Sequence, residues 1–222
     1  MHIEPGIVTG AKLALGSVTA AGAAAYMARA CLDTLRADGP AALALRGGIA
    51  TGLVLVFFEL LPHHPVGVSE VHVILGSTLF LLFGAGPAAL GLALGLLAQG
   101  LLFAPTDLPQ LGMNLTTLLV PLFAVRALAG RIIAPGTAYV DLRYGQALAL
   151  STAYQGGIVT WVAIWAVWGE GAGALGPVAG FGAAYMLVVL IEPLVDLAVL
   201  AGAKALHGLP GSALVTPRLY RG

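Results

Sequence analysis

Apolar runs long enough to cross a bilayer follow one another along this chain, and its few charges gather in the short connections between them. Inside hydrocarbon every backbone N–H and C=O must find a partner within the protein, so such a chain folds as helices or as a closed barrel. A barrel needs alternation of apolar and polar residues with period two, and these runs are continuous. The predicted fold class is therefore all-α, a polytopic membrane helix bundle. With 59% apolar and 9% charged residues, and a mean hydropathy of +0.96, the chain stands far from soluble proteins, of which about a quarter of residues are charged.

A window of about 20 residues, enough to cross ~30 Å of hydrocarbon, gives seven predicted spans: 7–30, 41–61, 71–85, 87–103, 112–133, 145–168 and 178–205. Gly84-Ala85-Gly86-Pro87 breaks the third from the fourth, as a tight Gly/Pro turn between two short spans. Positive residues set the orientation, because Lys and Arg stay on the cytoplasmic side. Arg29, Arg36 and Arg46 flank the first connection, Arg126, Arg131 and Arg143 the fifth, and Lys204, Arg218 and Arg221 close the chain. The connections 62–70, 104–111 and 169–177 carry no Lys or Arg. This places the N-terminus outside and the C-terminus in the cytoplasm. Lys12 is the exception, expected to snorkel or to meet a carboxylate at the outer end of the first helix. Trp161, Trp165 and Trp168 share one helical face at the outer end of the sixth span and read as an interfacial aromatic belt.

Several classes drop out. Net charge is zero and no basic run exists, which argues against nucleic acid as a partner. Cys31 is the only cysteine, so there is no internal disulfide and no cysteine metal cluster. A membrane enzyme has little to rest on: Glu59 with His63-His64 is the nearest approach to a metalloprotease pattern, and His-Glu-x-x-His and Gly-x-Ser-x-Gly are both missing. No glycine-rich nucleotide loop occurs either, so ATP hydrolysis would have to come from other chains.

Chemistry gathers on the outer side. His2, His63, His64 and His72 fall there, with only His207 at the opposite end, and Glu4, Glu70, Asp107 and Glu170 add a field that favours an arriving cation. His63 and His64 read as loop residues as readily as ligands. His2 is different in kind. The amine of Met1, the backbone nitrogen of His2 and its imidazole can wrap a borderline transition ion in fused rings and leave one in-plane position for a distant ligand. Such nitrogen donors suit nickel, copper or cobalt better than calcium or magnesium. Residues 2–11 hold no Lys or Arg, so a cleaved signal peptide is not expected.

Within the membrane, Glu192-Pro193 and Asp196 are costly unless protonated, paired or facing a cavity, which predicts a gating or partner-binding role or a structural carboxyl bonded to a neighbouring helix. Glu59 and Gln99 read as buried helix-to-helix hydrogen bonders. Gly16, Ala20, Ala24 and Ala28 form a smooth stripe along the first helix, open to close approach by another helix of this chain or of a partner, and Gly91-Gly95 and Gly176-Gly180-Ala184 leave the same choice.

Taken together, Met1-His2-Ile3 with Gly6, Ser69-Glu70-Val71-His72, Leu111-Gly112-Met113-Asn114 and Glu192 resemble the CbiM and NikM family, in order and over most of the chain. These are substrate-binding membrane subunits of cobalt and nickel energy-coupling-factor transporters. The pattern departs from the family at Glu4-Pro5-Gly6, at Glu70 and at Leu115-Thr116-Thr117, and the choice between the two metals stays open. The resemblance implies a transported Co(II) or Ni(II) held by Met1, His2 and His72, no resident cofactor, and Asn114 on a loop that covers the site. It further implies a segment 1–6 that folds back on a bundle of residues 7–205, a cytoplasmic tail 206–222, and the cytoplasmic membrane of a bacterium or archaeon. The partners would be a transmembrane coupling subunit, for which it favours the first-helix stripe, two ATPase subunits and a small accessory membrane subunit, all within membrane lipid. A vitamin-binding subunit of the same architecture is the alternative.

Overall fold

The computed structural model describes residue 3 and residues 6–61, 64–206 and 211–221. Seven α-helices make up most of it: α1 (Ala11–Asp38), α2 (Pro40–Glu59), α3 (Gly76–Phe83), α4 (Ala85–Leu102), α5 (Leu111–Ile132), α6 (Tyr144–Glu170) and α7 (Leu175–Ala205). Among the described residues, four helical stretches are long and apolar enough to cross a membrane: Pro40–Glu59, Ala85–Leu102, Pro105–Ile132, and Tyr144–Ala205, which contains both α6 and α7. Their boundaries follow the sequence's punctuation. Pro40 opens α2 directly after Gly39, whose φ of 87° ends α1, and a short 3-10 turn at Pro105–Gln110 leads into α5.

The span predicted at 71–85 is corrected. Before α4 begins at Ala85, only Gly76–Phe83 is helical there, eight residues, or about 12 Å at 1.5 Å per residue, too short to cross the hydrocarbon. Seven of the eight are buried inside the bundle. Leu75, at φ 54°, marks the break before it. The first span shifts as well: α1 starts at Ala11, after Gly10 at φ 61°, and continues to Asp38, past Arg29, Asp33 and Arg36. Charge ends a hydropathy window, but the Ala- and Leu-rich sequence keeps its helix propensity beyond it.

The all-α expectation also needs an addition. Before α3 the chain forms a two-stranded antiparallel hairpin, β1 (His64–Val66) with β2 (Ser69–Val71), in which Val66 faces Ser69 and His64 faces Val71. The loop is Gly67-Val68, and Gly67 takes φ +64°, the glycine-first pattern of a two-residue hairpin turn. A Cβ on Gly67 would come within 2.3 Å of the Pro177 carbonyl oxygen, so the turn lies tightly on the start of α7.

Close helix packing explains most of the small residues. A Cβ on Gly91 would approach Ala50, and one on Gly95 would meet Val54, so this pair serves the α2–α4 contact. On α1 the buried positions are Gly16, Ala23 and Ala30, a seven-residue repeat like that of a helix–helix seam. Gly16 fits against Met113 of α5, and Gly112 against the Gly16 carbonyl; Ala28 is exposed. At its Gly16 end the stripe thus serves the bundle itself. Gly176 and Gly180 face open space.

The C-terminal residues 211–221 are packed rather than loose. Val215 and Leu219 are buried, the Thr216 N–H donates to the Leu82 carbonyl at 2.8 Å, and Arg46 donates to the Ala213 carbonyl and pairs with Asp38.

Candidate metal centre

His72 sits in the extended segment between β2 and α3, with 1% of its surface exposed. Its Nε2 lies 2.9 Å from the Glu70 carboxylate. In extended chain residues two apart project to the same face, so the spacing Glu70-Val71-His72 builds this pair locally, a signal that the sequence carried. With Nε2–H donating to the carboxylate, Nδ1 holds the lone pair, as when a carboxylate orients a metal-binding histidine. Phe58 meets the ring edge-on at 5.4 Å between centroids. The Tyr185 hydroxyl of α7 lies 3.3 Å from the His72 carbonyl and 3.5 Å from its amide nitrogen, which pins the backbone.

The N-terminal side folds onto the same region. Ile3 is fully buried, forms an antiparallel bridge with Ser69, and donates its N–H to the Asn114 side-chain oxygen at 3.0 Å. Asn114 lies in the first turn of α5 rather than in a covering loop. Ile3 packs with Val8, Met113 and Trp165 in an apolar cluster that Trp161 borders. Trp161 donates to Thr116 at 2.9 Å. The aromatic belt expected at these positions is thus largely inside: Trp165 is 3% exposed and Trp168 alone is freely exposed, at 52%. Gly169 lies under the N-terminal segment, where a Cβ would meet the Ile7 carbonyl at 2.1 Å.

Lys12 finds carbonyls in place of a carboxylate. Its ammonium donates to the Trp168 and Gly169 oxygens at 2.9 and 3.2 Å, a cation at the negative end of α6.

Met1, His2 and His63 lie outside the described residues. His64 is exposed at the start of β1, opposite Val71, whereas His72 is buried. Among the described residues, no group of three or more His, Cys, Asp or Glu comes together.

Glu192 and Asp196 are fully buried on α7. The Ser77 hydroxyl of α3 lies 3.1 Å from Glu192 and 2.8 Å from Asp196. Thr78 donates to Asp196, and the Gln155 amide of α6 donates to Glu192. Ser77 and Thr78, the polar pair at the head of an apolar run, were the legible sign of this contact. Glu59, expected to be buried, is half exposed at the end of α2; Gln99 is buried.

A solved structure described as a truncated transition metal transporter has the same fold, with a TM-score of 0.65, 16% identity, and coverage of 92% of this chain and 97% of that one. No curated protein matches the chain. Residues 2–207 match the CbiM family, described as the cobalt uptake substrate-specific transmembrane region. With its helical membrane architecture and this match over nearly its whole length, the chain belongs to the CbiM family and is a membrane transport protein rather than an enzyme.

Proposed function

We propose that this chain is the substrate-capture subunit of an energy-coupling-factor transporter that imports Co(II) or Ni(II). The ion is held in a plane of four nitrogens: the Met1 amine, the His2 backbone nitrogen and imidazole, and the His72 imidazole. The observation that carries the reading is the docking of Ile3 between Ser69 and Asn114. Antiparallel pairing with Ser69 brings the Ile3 backbone onto the strand that leads into His72, which supports the reading. Glu70 supports the same reading, since its carboxylate turns the His72 lone pair away from itself. Segment 1–6 is the metal-binding element, 7–205 the bundle and 206–222 the cytoplasmic tail. His63, His64 and Glu192 take no part in first contact with the ion, and Glu192 serves its inward passage.

In this account seven helices form the bundle, α3 within it rather than across it, with the N-terminus outside and the C-terminus in the cytoplasm of a bacterium or archaeon. The acidic, Lys/Arg-free outer connections draw the cation in. A transmembrane coupling subunit, two ATPase subunits and a small accessory membrane subunit supply the energy and the reorientation that releases the ion. The test is the metal content and absorption spectrum of the purified chain beside His2→Ala and His72→Ala. Loss of bound Co(II) or Ni(II) in both variants supports the site; unchanged uptake in both overturns it.

A further inference from the structure

A groove of about 590 Å³ opens on the side of the bundle between α1 and α6, both of which pack on α5. Leu15 and Thr19 form one wall and Trp161, Ile164, Trp165 and Trp168 the other, so all three tryptophans of the chain line it. Thr19 and Thr160, also in the lining, return their hydroxyls to carbonyls of their own helices. One polar group is left. Trp165 is 3% exposed and its indole N–H has no hydrogen-bond partner among the described residues, which is costly wherever water is excluded. Lys12 stands at one end of the groove, a turn before Leu15 on α1. Its ammonium donates to the Trp168 and Gly169 carbonyls, which uses two of its three hydrogens. Glu170, the next residue of α6, is exposed and forms no ion pair among the described residues. An apolar trough thus ends in a cation, with a free carboxylate on the adjoining turn.

We propose that this groove is a binding site for one phospholipid with a primary-amine headgroup, phosphatidylethanolamine. An acyl chain fills the trough, the phosphate accepts the third Lys12 hydrogen, the headgroup ammonium meets Glu170, and an ester carbonyl accepts from the Trp165 N–H. Trp165 lies three residues from Trp168, one turn or about 5 Å down the groove, the order in which a phospholipid presents phosphate and ester. An anionic headgroup would set its charge against Glu170, and choline has no N–H to offer that carboxylate, so Lys12 and Glu170 together select the amine. A transmembrane helix of another chain would cover the apolar lining, but its backbone is hydrogen-bonded internally and gives neither Lys12 nor Trp165 an acceptor. Trp165 also packs with Ile3, Val8 and Met113, so the lipid and the N-terminal segment share a wall. The inference needs the membrane reading alone and is independent of the metal ligands.

Because every tryptophan lines the groove, indole fluorescence reads its occupancy. The delipidated full-length chain in detergent is titrated with phosphatidylethanolamine brominated on its acyl chains, which quenches indoles on contact. Saturable quenching is expected, reversed by the unbrominated lipid. Binding should be about fivefold weaker in Lys12→Met, restored in Lys12→Arg, and abolished in Ala163→Phe, which fills the groove. Brominated phosphatidylglycerol and phosphatidylcholine should bind about two- to fivefold more weakly than the amine lipid. Thermal unfolding of each variant checks that the bundle is intact. Quenching that rises without saturation, as for lipid met at random around the bundle, overturns the site, and so does quenching blind to both Lys12→Met and Ala163→Phe. Equal binding of the three headgroups overturns the role given to Lys12 and Glu170 and with it the proposal. No quenching at any lipid concentration, the outcome for a groove reserved for a partner's helix, overturns it as well.

Discussion

The backbone N–H of Ile3 donates to the Asn114 side-chain oxygen across 111 positions of sequence. It fastens the start of the chain to the first turn of α5, and through the Ile3–Ser69 bridge to the strand that leads into His72. Under the proposed function, a backbone fixed at Ile3 before an ion arrives lowers the cost of binding.

Replacing Asn114 with Leu removes the acceptor while filling the volume. Metal affinity should fall about 10–100-fold, the range for a lost supporting contact around a metal, and Asn114→Asp, which keeps an acceptor, should lose much less. Isothermal titration with Ni(II) and Co(II) reads both; equal affinity in Asn114→Leu and the native chain would show that the tether is irrelevant.

Glu70→Gln keeps the size of the side chain and removes the charge facing the His72 Nε2. Affinity should drop by about tenfold or more, with the spectrum of the bound ion little changed, because the ligands are the same. A variant that binds as tightly as the native chain would show that Glu70 does not orient the ring.

Binding by an amine, a backbone amide and two imidazoles requires each to be free of its proton, so protons leave as the metal enters. Affinity should therefore fall as pH is lowered, and metal added to a weakly buffered sample should acidify it. Uptake without acidification, or affinity constant from neutral to mildly acidic pH, would contradict deprotonation of the His2 amide.

Two glycine substitutions should act in opposite senses. Gly169→Ala sets a methyl against the Ile7 carbonyl, 2.1 Å from the new carbon, and should lift the N-terminal segment and weaken metal binding, at a cost of about 1–3 kcal/mol. Gly180→Ala on α7 meets nothing within 4 Å and should stabilise the helix by up to about 1 kcal/mol. Thermal unfolding in detergent, with and without metal, separates the two; the same shift for both would mean that the crowding at Gly169 is relieved without consequence.

Much of the bundle was readable from hydropathy: α2 and α4 to α7 lie within a few residues of the predicted spans. Hydropathy failed where burial was due to protein rather than lipid. The run at 71–85 is as apolar as a span, but it is enclosed by other helices, so its extended segment and short α3 need not cross anything. The hairpin at residues 64–71 hid in a Val-rich stretch punctuated only by Pro65 and Gly67. In the candidate site, His72 and Asn114 were singled out by the family resemblance, and the structure brings their segments together through Ile3. The Ile3–Ser69 pairing and the Lys12 contact with the end of α6 were not, because each joins distant segments through backbone atoms that every residue has.

The central claim is that the amine of Met1 is itself a ligand, and the most direct test lengthens the chain by two residues ahead of Met1. Every side chain is then kept while the amine becomes an amide. The account predicts that Ni(II) and Co(II) binding collapses, with the bundle's thermal stability in the absence of metal unchanged. Native affinity in the lengthened chain would contradict it.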